Sequence, residues 1–130
     1  MKRFIVVSIL MGLVIALGIV ESVLLSNYYK SIYTDLQEVN DVLLLCSDGD
    51  DLVVAEGKVN SILESWQKNR FVLHTVSNHA IVRNFEEKLV SLASWVECDG
   101  YSDSRVLCES AMEVAKELSK ESRPQLGNLF

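Results

Sequence analysis

The chain has 130 residues, of which 49% are hydrophobic, with a mean hydropathy of +0.21 and a formal net charge of −6. That length holds one small domain, and the acidic balance does not favour a nucleic-acid phosphate backbone or an anionic leaflet as partner. Of the 12 bases, Lys2 and Arg3 lie at the start; the remaining 10 face 18 acids, a balance of about −8 that reads as a solubilising surface and not as a site for a cationic partner.

Residues Phe4 to Leu25, FIVVSILMGLVIALGIVESVLL, contain a single acid, Glu21. As a helix they reach roughly 33 Å, enough for a bilayer core of about 30 Å. Lys2 and Arg3 keep the N-terminus cytoplasmic, because basic residues flanking a span resist translocation, and this places the rest of the chain outside. Ala16-Leu17-Gly18 offers a small-x-small cleavage site, so processing after Gly18 is the alternative to a permanent anchor. Apolar residues resume at Ile19, Val20, Val23, Leu24 and Leu25 and favour an uncleaved signal anchor. The expected organisation is a transmembrane segment over residues 1–25 and an extracytoplasmic helical domain over residues 26–130.

Beyond the span the apolar pattern continues. Leu25, Tyr29, Ile32, Leu36, Val39, Leu43 and Cys46 recur at spacings of 3 and 4, with Lys30, Asp35, Glu38 and Asp41 on the outer face. No Pro or Gly interrupts them, so the span and this stripe are expected to form one rod ending near Ser47-Asp48-Gly49-Asp50-Asp51. Tyr28 and Tyr29 sit where an interfacial aromatic anchor belongs. Ser47 or Asp48 is placed to cap the next helix; the acids around them lack the alternate spacing of a calcium loop.

Helix two is expected from about Leu52 to Lys68, on a stripe of Leu52, Ala55, Val59, Ile62 and Trp66, with Glu64 and Lys68 as a surface pair. Gly57 inside it weakens the helix by about 1 kcal/mol relative to Ala, which is tolerable if another helix packs closely there. Gln67 to Arg70 reads as a connection to helix three, from about Phe71 to Glu97, striped by Asn78, Val82, Phe85, Leu89, Leu92 and Val96. His74 and His79, five apart, fall on different faces of one helix, which excludes them as a metal pair. His79, beside the stripe, reads as a buried hydrogen-bonding histidine. Cys98 to Ser102 forms the next turn, and helix four follows from about Asp103 to Glu121 on Leu107, Ala111, Val114 and Leu118. Residues Ser122 to Phe130 break at Pro124 and end on Leu129-Phe130, an apolar end suited to docking. The fold class is therefore all-α: a transmembrane helix continuing into an extracytoplasmic bundle of about four antiparallel helices.

Cys46, Cys98 and Cys108 are the cysteines. Cys98 and Cys108 bracket a helix–helix turn outside the cytoplasm and are a candidate disulfide, which leaves Cys46 over.

Four features together resemble the small membrane-anchored bacterial family catalogued as domain of unknown function 4363, found mainly in clostridia and other endospore-forming Gram-positive bacteria. They are the basic start, apolar span and Gly18-Ile19-Val20-Glu21; Trp66 at the end of helix two; Asn78-His79 followed by Val82, Phe85, Leu89, Leu92 and Trp95; and the terminal Gly127-Asn128-Leu129-Phe130. Val20 stands where the family has Trp, Asn78 where it has Asp, and three cysteines are not typical of it. The resemblance implies an anchored helical domain and brings no established activity.

The expected function is a non-catalytic interaction module for another membrane or envelope protein, anchored in the lipid bilayer through residues 4–25, with no cofactor and no metal. Motifs for a nucleophile elbow, a phosphate loop, a dinucleotide fold or a zinc protease are absent from the sequence, which speaks against an enzyme. Glu21, Trp66, His79, Trp95 and Phe130 are the candidate partner- or ligand-binding residues. The alternative is a small-ligand sensor or carrier with a pocket near Trp66, His74, His79 and Trp95.

Overall fold

With a β-branched or aliphatic residue at nearly every position from Phe4 to Val20, and no helix breaker from Ile19 to Cys46, the first part of the chain satisfies its backbone as one helix. The computed structural model describes residues 1–46 and 52–121, apart from the Val76 side chain, and its first element, α1, runs unbroken from Lys2 to Leu45 over 44 residues. Three further helices follow: α2 (Val53–Val76), α3 (His79–Glu97) and α4 (Tyr101–Glu121). The described residues form no strand.

The two halves of α1 have different surroundings. No residue before Ser26 is buried, whereas Ser26, Tyr29, Ile32, Leu36, Val39 and Leu43 are. α1 packs on α2 and α4, and α3 packs on the same two helices. Their stripes meet in one core, with Leu52, Ala55, Val59, Ile62, Trp66 and Leu73 from α2 and Val82, Phe85, Leu89, Leu92 and Val96 from α3. Leu25 and Cys46, the ends of the α1 stripe, are only partly buried against it. Lys58 Nζ reaches Glu38 Oε2 at 3.5 Å across the α1–α2 surface, and Lys68 pairs with Glu64 at 3.7 Å on the outside of α2.

The break between α2 and α3 lies at Ser77-Asn78 and not at Gln67–Arg70. Residues 67 to 70 are polar, but Gln, Lys and Arg are good helix formers and nothing there stops the ladder. Asn78 does stop it: its Oδ1 accepts from the Ala80 backbone N–H at 3.0 Å, so it is the N-cap of α3 and not a stripe position. Trp66 consequently sits inside α2, with ten helical residues after it, instead of closing it.

Two other expectations are corrected by packing. Tyr29 is not an interfacial anchor: it is fully buried, its hydroxyl lies 2.6 Å from Ser77 Oγ, and burial pushes its phenol above the ordinary value, with the Ser77 bond opposing. Gly57 makes no close helix contact; a Cβ added there meets nothing within 4 Å.

The α3–α4 turn has a helix-ending geometry that Cys98-Asp99-Gly100 does not announce. The Gly100 N–H donates to Trp95 O at 2.8 Å and the Asp99 N–H to Val96 O at 3.2 Å, the paired bonds of a Schellman ending, with Asp99 in the left-handed region at φ 57°. Gly100 is required here because the Trp95 ring lies over it; an added Cβ would stand 2.6 Å from Trp95 Cε3. Asp99 also reaches across: its Oδ1 accepts from the Leu52 N–H at 3.2 Å at the start of α2. Leu52 occupies the N-cap position without a side-chain cap of its own, while Ser47 and Asp48 lie outside the described residues.

Helix α4 begins two residues earlier than expected; Ala111, Val114 and Leu118 of its stripe are buried, and Leu107 is the exception. Leu107 is only partly buried; Ser104, Cys108, Ala111, Val114, Ala115, Leu118 and Ser119 face inward. Their small size lets α4 come close to α1, where Cys108 Sγ donates to Leu36 O at 3.4 Å and Ser26 Oγ donates to Ser119 O at 3.3 Å.

Candidate interaction surface

The candidate residues named from sequence do not converge. Trp66 is fully buried, its ring centroid 4.7 Å from that of Phe85 at an interplanar angle of 51°, an aromatic pair that fills the centre of the core. Its Nε1 has no hydrogen-bond partner among the described residues. Trp95 is 44% exposed at the opposite end of α3 from His79, sixteen residues or roughly 24 Å away along the helix. A single pocket shared by Trp66, His74, His79 and Trp95 therefore does not form. Phe130 lies outside the described residues.

The cysteine pair is also corrected. Cys98 and Cys108 are both free, the first exposed at the end of α3 and the second buried against α1. Burial, with a smaller contribution from Glu109, pushes the Cys108 thiol up to about 12. Cys108 is buried because the inward face of α4 continues from Ala111 through Cys108 and Ser104 and leaves Leu107 at its edge.

His79 is exposed at the first position of α3 and not a buried core histidine. Because the helix break falls between them, His74 and His79 do share a surface. Their rings meet edge-on with centroids 4.9 Å apart, and His79 Nδ1 lies 3.3 Å from His74 O, where it donates when protonated. Glu86, two turns further along α3, binds both the Arg70 Nε–H and, at 3.4 Å, His74 Nε2. Partial burial pushes the Glu86 carboxyl upward, but the Arg70 hydrogen bond and charge, followed by His74, outweigh it and hold the group below its ordinary value. This cluster fastens α2 to α3. Its members Arg70 and Glu86, sixteen residues apart, were not singled out from sequence, since their meeting depends on the position of the break at Asn78. Beside them a shallow groove is lined by Gln67, Phe71, Arg83 and Glu87. Among the described residues no group of three or more His, Cys, Asp or Glu side chains is placed to hold a metal ion.

Glu21 has the most distinctive setting. It lies near the C-terminal end of the apolar stretch, exposed, on a groove that Leu17, Val20 and Leu24 of α1 form with Asn69 and Val72 of α2. The Tyr28 hydroxyl borders the same groove, buried and without a hydrogen-bond partner among the described residues. By length and composition α1 is the one helix among the described residues that qualifies to cross a membrane, and its apolar window is wholly exposed. No family model, curated protein or solved structure matches the chain.

Proposed function

We propose that the protein is a membrane-anchored extracytoplasmic helical module that acts by binding another membrane or envelope protein, without catalysis. The observation that carries this reading is the division of α1: its first half is apolar and uncovered, and its second half is a wall of the core. A soluble protein would leave that first half in water, whereas a bilayer buries it. The basic Lys2-Arg3 start orients the N-terminus to the cytoplasm and α2, α3 and α4 to the outside. The short α2–α3 and α3–α4 connections, with Ser77 beside Tyr29 and Asp99 beside Leu52, support an antiparallel up-down bundle. The resemblance to domain of unknown function 4363 is consistent with this reading and adds no activity to it.

Glu21 and its groove are the proposed contact for a partner's membrane helix, since an acid at the outer end of a span is a natural hydrogen-bonding point there. The test has two stages. Carbonate extraction and external protease digestion of intact cells should leave the chain in the membrane with its C-terminal part digestible. A photo-crosslinker at position 21 should then trap one discrete partner, and the same group at exposed Val106 should not. Extraction by carbonate would overturn the anchor, and a crosslink-free Glu21 would overturn the contact. The ligand-carrier alternative is not favoured, because Trp66 and Phe85 fill the space it requires.

A further inference from the structure

We infer that the α2–α3 turn is seated in the lipid–water interface of the outer leaflet, with Phe71 and Val72 in contact with lipid, so that the domain holds the bilayer at a second point beside its span. This rests on the membrane-anchor reading and goes beyond it.

One polar contact sets the height of the turn, and a second brings the end of α4 to nearly the same level. Ser77 is bonded to Tyr29, four residues past the end of the apolar stretch, and Ser119, near the end of α4, is bonded to Ser26. The end of α2 thus descends along α1 to the level at which the span emerges. The groove on this side is continuous with the span: Val72 shares it with Leu17, Val20 and Leu24. A bilayer core of about 30 Å that starts near Phe4 takes up about 20 residues of helix and ends close to Val23. The last two turns of α2 therefore lie at the boundary between acyl chains and headgroups.

The side chains at that level suit the boundary. Phe71 is 83% exposed and Val72 55% exposed, an adjacent aromatic and aliphatic pair left uncovered by α1, α3 and α4. An exposed Phe in the last two turns of α2 has no packing reason to be there; at a membrane interface it has an apolar phase to enter. Arg70 and Arg83 stand beside Phe71 on the neighbouring groove, long cations whose stems lie along apolar surface while their heads stay at headgroup depth. Glu86 and Glu87 border the same groove, and Arg70 already neutralises Glu86. Lipid is favoured over a protein occupant because the exposed pair lies level with the lipid-facing part of α1 and needs no further molecule to be covered.

The experiment places an environment-sensitive nitrobenzoxadiazole dye on single cysteines at positions 10, 71 and 106 of the full chain. Cys46 and Cys98 are replaced by Ser, and Cys108 stays because its thiol is buried. The probe membranes are phosphatidylcholine–phosphatidylglycerol vesicles, with a doxyl quencher either near the head or near the end of the acyl chain. Position 71 should show blue-shifted emission and lose intensity to the shallow quencher. Position 10 should respond to the deep quencher. Position 106, on Val106 of α4, which is 67% exposed, should respond to neither. If position 10 is quenched while position 71 behaves like position 106, the seated turn is refuted and the anchor stands. If position 10 itself escapes quenching, the anchor reading fails and takes this inference with it.

Discussion

The contact between Tyr29 and Ser77 ties the α2–α3 turn to α1, and it makes a sharp test of how that end of the domain is held. The two hydroxyl oxygens are 2.6 Å apart and Tyr29 is fully buried. Tyr29→Phe keeps the ring and removes one hydrogen bond, a loss of about 1 kcal/mol net. Ser77 is only partly buried, so water replaces the missing partner in part and the loss stays at that level. Ser77→Ala should cost a similar ~1 kcal/mol, and the double variant little more than either alone, since both remove the same bond; the coupling energy should be about 1 kcal/mol. Tyr29→Ala, which also empties the ring's site, should cost roughly 3–5 kcal/mol. Guanidinium unfolding of the full chain in detergent micelles reads the cycle. Amide exchange adds the local view: the Val82 N–H, bonded to Asn78 O at 3.0 Å, should exchange faster in Tyr29→Phe. A cycle in which the two substitutions simply add would refute the direct bond and the fastening assigned to it.

Three other expectations are open to direct measurement. Gly57→Ala should stabilise the chain by about 1 kcal/mol, because it removes a helix-interior glycine where an added Cβ meets nothing; destabilisation in the same unfolding assay would mean a contact at that face. Glu86 has a depressed folded-state pKa, so its contribution is full above the unfolded value near 4.5 and is lost as pH falls through the lower folded value. Stability followed from pH 6 downward should accordingly drop less steeply at the acid end in Glu86→Gln than in the parent, and identical acid limbs would argue against the Arg70–Glu86–His74 fastening. A thiol reagent should modify Cys98 in the native chain and reach Cys108 only on unfolding, as followed by mass spectrometry; a Cys98–Cys108 bridge in the non-reduced protein would contradict the buried, free Cys108.

Much of the helical architecture is legible in the sequence because it depends on periodicity. The stripe from Tyr29 to Leu43, the one from Leu52 to Trp66 and the one from Val82 to Val96 all appear as buried faces, since an apolar residue every third or fourth position has only one side of a helix to occupy. Boundaries are less legible. The polar run Gln67–Arg70 resembles a loop by composition yet favours helix by propensity, while the decisive signal, Asn78 ahead of an apolar stripe, is a capping pattern that fits that stripe as one of its members. On α4 the stripe through Ala111, Val114 and Leu118 is buried as its spacing requires, but Leu107 is only partly so and the small polar positions on the same face are missed for another reason. Burial of Ser104, Cys108 and Ser119 is dictated by how close α1 comes, and hydrophobicity does not encode that distance. The surface cluster of Arg70, His74, His79 and Glu86 depends on the helix break falling at Asn78, so it emerges only once that boundary is placed.

The 44 residues of α1 contain no joint between the apolar half and the wall of the core. Under the membrane anchor proposed above, such a rod couples angle to position. With roughly 36 Å of helix beyond Glu21, a tilt of about 20°, the average for membrane helices, moves the Leu45 end sideways by about 12 Å. Bilayer thickness sets the tilt that matches a given apolar length, so lipid composition becomes a variable that steers which side of the domain faces its neighbours.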